Sequence, residues 1–193
     1  MARNTTATER TTRVNRRSTE IDDGPSRLYS TKNDLPQASR VQVIELLNQR
    51  LADSIDLQTQ CKQAHWNVKG PAFIALHKLF DEINEDVEEY VDLIAERIVQ
   101  LGGIAEGTVG VVTGRTSLVD YPLVLSKGAE HVAALSDALA AFGRTVRVGI
   151  EEMNELEDAG SADILTEISR GVDKCCGSSR RTSRAGEKRQ VLR

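Results

Sequence analysis

The sequence predicts an all-α protein: four helices with one long crossover between the second and the third. Three observations carry this. Hydrophobic residues make up 39% of the 193-residue chain, but aromatics only 4%, with four prolines. That composition favours helices packed with Leu, Ile, Val and Ala over a sandwich of strands. Apolar residues recur at three- and four-residue spacing in long runs, the period of a helix with one buried face. Strong breakers, "NVKGP" and "GG", fall between those runs. The length suits one domain with a full core, and no internal repeat of solenoid length is present.

Residues 1–35 are polar, rich in Thr, Arg and Ser, and contain the breaker "DDGPS"; they read as a disordered basic arm. The bundle is expected over residues 36–174. Its first helix lies in "NDLPQASRVQVIELLNQRLADSIDLQTQCKQAHWN", with Ile44, Leu47, Leu51 and Ile55 on one face. "NVKGP" ends it, and Pro71 is placed to open the second helix. That helix is expected from about Ala72 to Leu101, along the stripe Phe73, Leu76, Phe80, Ile83, Val87, Val91, Ile94, Ile98 and Leu101. Gly102 and Gly103 stop it. The crossover "IAEGTVGVVTGRTSLVDYP" holds too many Gly and β-branched residues to predict a helix. The third helix is expected from near Pro122 to about Asn154, and the fourth from Ser161 as its N-cap. This connectivity is that of the ferritin-like four-helix bundle.

The net charge of −4 hides a segregation. Residues 41–174 carry 11 Lys+Arg against 23 Asp+Glu, whereas residues 1–40 carry 8 against 5 and residues 175–193 carry 6 against 1. An acidic body attracts cations, and basic ends can contact phosphate backbones. No apolar run approaches the roughly 20 residues that span a bilayer, so no membrane partner is expected. The N-terminus lacks the apolar stretch of a secretory signal. Three cysteines without CxxC spacing, Cys61, Cys175 and Cys176, read as a reduced, cytoplasmic protein.

The stretch "AHWNVKGPAFIALHKLFDEINEDVEEYVDLIAER" carries the candidate chemistry. At 100° per residue, His77, Asp81, Asp92 and Glu96 fall within one face of the second helix. Imidazole with carboxylate suits iron, zinc or manganese, and the oxygen-rich balance suits ferrous iron. Asp81 and Asp92, however, are eleven residues apart, about 16 Å along the axis, so the two pairs cannot close one compact site within a single copy. If they serve one centre, the second pair comes from another subunit, most simply across a two-fold axis. His65 can join the His77/Asp81 half. Bland readings stay open at this point: a solvated acidic helix, an ordinary buried His65, Asp92 in a buried hydrogen bond, Cys61 as a small core residue, and Trp66 as a core anchor.

"KQAHWNVKGPAFIALHKLFDEI" followed by "DLIAERIVQLGG" resembles the ferroxidase signature of the Dps family, the DNA-binding-from-starved-cells miniferritins. The likeness runs from Leu28 to Lys174, through "LYSTKNDLP" and "ADILTEISRGVDK". It implies a ferroxidase oxidising Fe(II), preferably with hydrogen peroxide, and storing ferric mineral inside a dodecameric, nucleoid-associated shell. His65, His77 and Asp81 of one subunit would then face Asp92 and Glu96 of its two-fold neighbour. The resemblance also points to acidic pores near "EEMNELEDAGSAD", with Asp158 and Asp163 as candidates. It implies DNA binding without sequence preference in some members; here Arg3, Arg10, Arg13, Arg16 and Arg17 are the candidates, acting through avidity. A mainly DNA-compacting role is the alternative. Another diiron enzyme would want Glu-x-x-His pairs, a spacing that "EHVA" at Glu130 lacks.

After Lys174 the likeness stops. Relatives continue with a pattern such as D-K-x-L-W-F-L-E-A-H-V-Q, whereas this chain reads "CCGSSRRTSRAGEKRQVLR", polar and without helical period, so the fourth helix is expected to be short. The codons TGC TGT GGT TCC TCG AGG CGC ACG TCC AGG encode Cys175 to Arg184. Read from their third base, they encode Leu-Trp-Phe-Leu-Glu-Ala-His-Val-Gln. The hypothesis is that one base was lost after the Lys174 codon; an intact mass of native protein matching the printed tail defeats it.

Overall fold

The computed structural model describes residues 28–190, with side chains described through Gly177. Five helices follow one another: α1 (Gln37–Asn67), α2 (Phe73–Gln100), α3 (Val109–Arg115), α4 (Gly128–Glu155) and α5 (Ala159–Gln190). The long α1, α2, α4 and α5 are the bundle. α1 packs chiefly on α2 and α4 on α5, and α1–α4 and α2–α5 contacts close the core. The apolar stripes meet there: Ile44, Leu47 and Leu51 of α1, Phe80, Ile83, Val87, Ile94 and Ile98 of α2, Leu135, Leu139 and Phe142 of α4, and Leu165 and Ile168 of α5 are all buried. Each of the larger side chains contributes about 1.5–3 kcal/mol by leaving water.

The double glycine ends α2 by a Schellman motif. Gly102 takes φ +87°, its N–H bonds Val99 O at 2.9 Å and the Gly103 N–H bonds Ile98 O at 2.9 Å. A Cβ on Gly102 would also strike Tyr29 O at 2.5 Å. Residues at the end of the expected arm are thereby tied to the bundle: Tyr29 N–H donates to Gly102 O at 2.8 Å, and Thr31 Oγ1 donates to Gln100 O at 3.0 Å.

The crossover departs from expectation in holding α3. Its seven residues are held by their surroundings more than by propensity. Gln49 donates to Arg115 O at 2.7 Å, and Arg115 pairs with Glu45 at 2.8 Å and Glu106 at 2.9 Å. The buried Asp53 accepts from Ser117 N–H at 2.7 Å and from Ser117 Oγ at 3.0 Å. Polar side chains of α1 therefore stitch the crossover down.

α4 starts six residues after Pro122, because the Glu130 carboxylate accepts from Lys127 N–H at 3.2 Å and Ser126 N–H at 3.4 Å and caps the helix there. Those backbone bonds hold the Glu130 pKa below the usual carboxylate range. α5 starts at Ala159, with Asp158 rather than Ser161 as the cap: Asp158 Oδ1 accepts from Ser161 N–H at 3.1 Å. α5 does not end near Lys174; it runs on to Gln190, with Cys175 still buried in the core. The polar composition beyond Lys174 therefore does not interrupt the backbone hydrogen-bond ladder.

Candidate metal centre

His65 lies two residues before the end of α1 and His77 four residues into α2, so the tight turn between them brings the two rings together. Their centroids are 3.7 Å apart with planes at 25°, and Phe73 flanks His77 at 5.0 Å. Each histidine reaches across to the other's backbone: His65 Nδ1 lies 2.9 Å from His77 O, and His77 Nδ1 lies 3.0 Å from His65 O. A carbonyl oxygen only accepts, so both Nδ1 atoms donate, and in the neutral rings both Nε2 atoms keep their lone pairs. This backbone bonding fixes tautomer and ring orientation, as an outer shell does for ligating histidines.

Asp81, one helical turn beyond His77, places Oδ1 3.6 Å from His65 Nδ1. The Lys62 ammonium donates to the same oxygen at 2.7 Å. This hydrogen bond, with smaller help from His65 and His77, holds the Asp81 pKa below its ordinary value. Lys62 went unremarked in the sequence, although a lysine three residues before His65 shares its helix face. The structure thus brings His65, His77 and Asp81 into one neighbourhood.

Asp92 and Glu96 lie further along α2, exposed, and make no hydrogen bond or ion pair with any described residue. Among the described residues no group of three or more His, Cys, Asp or Glu side chains is arranged to hold a metal ion within the chain. The two halves are present in one chain but separate.

The other candidates divide. Asp158 is 2% exposed; its carboxylate bonds Arg97 Nη2 at 2.6 Å and caps α5 through Ser161, so it is a structural cap in this chain and no exposed pore lining. Asp163 is exposed. Trp66 is 67% exposed and is not the core anchor that was one reading of it. Cys61 is fully buried, and burial pushes its thiol up to about 12; it packs as a small core residue. Arg3, Arg10, Arg13, Arg16 and Arg17 lie outside the described residues. His131, the third histidine, was passed over in the sequence and is buried at 1%. No described helix is long and apolar enough to cross a membrane.

Comparison with known proteins agrees with this architecture. The ferritin-like domain family model matches residues 44–174. The DNA protection during starvation protein of Agrobacterium fabrum is 43% identical over 146 residues, covering 76% of this chain and 90% of that protein. The protein of the same name from Mycolicibacterium smegmatis is 36% identical over 123 residues, covering 64% and 67%. Among solved structures, the tetragonal form of Mycobacterium smegmatis Dps superposes with a TM-score of 0.76 at 31% identity, covering 81% of this chain and 94% of that one. DpsA14 of Streptomyces coelicolor gives 0.77 at 28% identity, covering 82% and 94%. With its bundle, its long crossover and its paired histidines at the first hairpin, the chain belongs to the Dps family of ferritin-like proteins.

Proposed function

We propose that the protein is a ferroxidase and iron-storage protein whose sites are completed between subunits. His65, His77 and Asp81 of one subunit bind iron together with Asp92 and Glu96 of its two-fold neighbour. Hydrogen peroxide is the preferred oxidant, the ferric product is stored as mineral within a dodecameric shell, and DNA is thereby spared oxidative damage. The observation that carries the reading is the division of donors: two histidines beside Asp81 whose Nδ1 atoms are held on backbone carbonyls, which leaves Nε2 to ligate, and two exposed carboxylates too far along α2 to join them.

The chemistry follows from the donors. Two ferrous ions each give one electron to one peroxide, whose O–O bond breaks; with two protons it leaves as two waters, and no hydroxyl radical is released. Carboxylates favour the ferric product because hard oxygen anions prefer the higher charge. The small number of protein donors leaves coordination positions open for oxidant and water. The Lys62 ammonium donates to Asp81 Oδ1, so iron binding at Asp81 takes that ammonium's place on the carboxylate. Asp163 is the proposed lining of an iron entry pore. The arginine-rich arm is the proposed contact to DNA, independent of base sequence; a chiefly DNA-compacting role would show as salt-sensitive gel retardation that survives loss of the iron site. The test is size-exclusion with light scattering followed by peroxide-driven ferrous oxidation. A monomer oxidising iron at full rate, or full turnover by Asp92→Ala, overturns the shared-site reading.

A further inference from the structure

The crossover between α2 and α4 is held unevenly. Its first half, residues 104–117, is stitched to α1: Asn48 Nδ2 donates to Ile104 O at 3.1 Å, Asn48 Oδ1 accepts from Glu106 N–H at 2.9 Å, and Thr116 Oγ1 donates to Asp56 Oδ2 at 2.7 Å, beside the Asp53–Ser117 bonds. Its second half, residues 119–127, starts where Gln60 Nε2 donates to Val119 O at 3.1 Å and ends at the Lys69–Lys127 bridge. Between those ends, Tyr121 is the side chain packed against the core, while Asp120, Pro122, Leu123 and Val124 are exposed. This half walls a cavity of about 710 Å³ whose other side is the α1 face carrying Lys62, Gln63 and Trp66.

The anchor is a histidine. Tyr121 Oη lies 2.6 Å from His131 Nδ1, and the two rings stack with centroids 6.1 Å apart. His131 is in the first turn of α4 and buried, with Phe80 of α2 behind it at 6.5 Å. Burial pushes the phenol up to about 12, so the phenol keeps its proton and donates to Nδ1. The ring's own proton is then on Nε2, which makes no hydrogen bond of ordinary geometry. A second proton would turn Nδ1 against a phenol already aimed at it and would bury a cation at the positive end of a helix. Burial lowers the His131 pKa and outweighs the Glu130 carboxylate and the Leu125 backbone, which favour the charged ring. The other groups around it bring no charge to bear: Phe80 on α2, the Tyr121 phenol on the crossover, and beside that phenol the Cys61 thiol of α1, pushed up to about 12 by burial. Lys127 is exposed and pairs with Glu130 at 3.7 Å.

We propose that His131 is a proton-operated latch: while neutral it holds Tyr121, and with it residues 119–127, against the bundle, and on protonation it releases them and opens the groove beside Lys62. Lifting that segment uncovers the ring without moving α4. In the open form the ring meets water and takes up a proton near its ordinary value of about 6.5, whereas the closed form resists it. Opening is therefore favoured as pH falls through that value, and its equilibrium constant rises by up to about tenfold between about pH 7.5 and about pH 5.5. The bonds that hold residues 104–117 involve no histidine, so that half stays closed over the same window. Lys62 donates to Asp81, so on the ferroxidase reading acid widens the approach to one half of the iron site; the latch itself does not depend on that reading.

The test uses the full chain without iron, so its failure leaves the ferroxidase reading untouched. Brief thermolysin digestion at about pH 7.5 and about pH 5.5 is read by mass spectrometry as the ratio of cuts within 119–127 to cuts within 104–117, in which the protease's own response to pH cancels. The expected result is a ratio that rises by up to about tenfold at the lower pH. His131→Gln keeps an acceptor for the phenol but takes no proton, so its ratio stays flat; Tyr121→Phe removes the donor and raises the ratio already at neutral pH. A ratio in the unaltered chain that ignores pH, both halves opening together in acid, or a rise that persists in folded His131→Gln overturns the latch; the first two need no variant.

Discussion

Mixing two inactive variants distinguishes a shared site from a private one. His77→Ala removes one half of the proposed donors and Asp92→Ala the other, and the helix rise puts the nearest members of the two halves, Asp81 and Asp92, about 16 Å apart along α2. A private site would be dead in every subunit of either variant and dead in every mixture. In a two-fold pair built from one subunit of each kind, one site collects both lesions and the other collects none. Random pairing of equal amounts gives mixed pairs about half the time, so about a quarter of all sites are intact. The assay is peroxide-driven ferrous oxidation after the two variants are dissociated, mixed and reassembled, with each variant carried through the same steps alone. Activity near a quarter of wild type in the mixture, with none in the separate samples, is the expected outcome. A mixture as inactive as its components, with reassembly shown by light scattering, refutes the geometry.

Three further outcomes follow from packing and charge. Asp158→Ala leaves Arg97, whose side chain is 13% exposed, without its buried counter-ion and removes the α5 cap, so denaturant unfolding is expected to show a loss of about 3–5 kcal/mol; an unchanged midpoint counts against the buried pair. Glu157 ends α4 at φ +60°, in a Schellman arrangement closed by Asp158 N–H on Met153 O at 2.9 Å. Glu157→Gly is therefore expected to stabilise by about 0.5–1 kcal/mol, read as a rise in Tm. Burial lowers the His131 pKa in the folded chain, so below about pH 6.5 the unfolded chain takes up a proton that the folded chain resists. Stability should fall with acid from that point, and His131→Phe should flatten the slope in urea titrations between mild acid and neutral pH.

What could be read without coordinates was whatever depends on period and on distance along the chain. The helical stripes place Leu47, Leu51, Phe80 and Ile94 in the core because 3.6-residue periodicity has one buried face. The Gly102–Gly103 stop was legible because only glycine takes that left-handed turn cheaply. The separation of Asp81 from Asp92 followed from the rise of a helix alone. The short α3 was not legible, since its formation rests on Gln49, Asp53, Glu45 and Glu106 reaching it from elsewhere in sequence. Asp158 looked like one more acid in an acidic run until Arg97, 61 residues away, was found on its carboxylate.

By itself, then, the sequence determined the four long helices of the bundle, their order and the separation of the two donor pairs along α2, because these are properties of local geometry. Only the tertiary structure decided that the two histidines bond each other's carbonyls through Nδ1, that Lys62 sits on Asp81, and that Tyr121 meets a buried His131. Each of these is a contact between segments whose approach is set by packing the bundle, and no spacing along one helix encodes it.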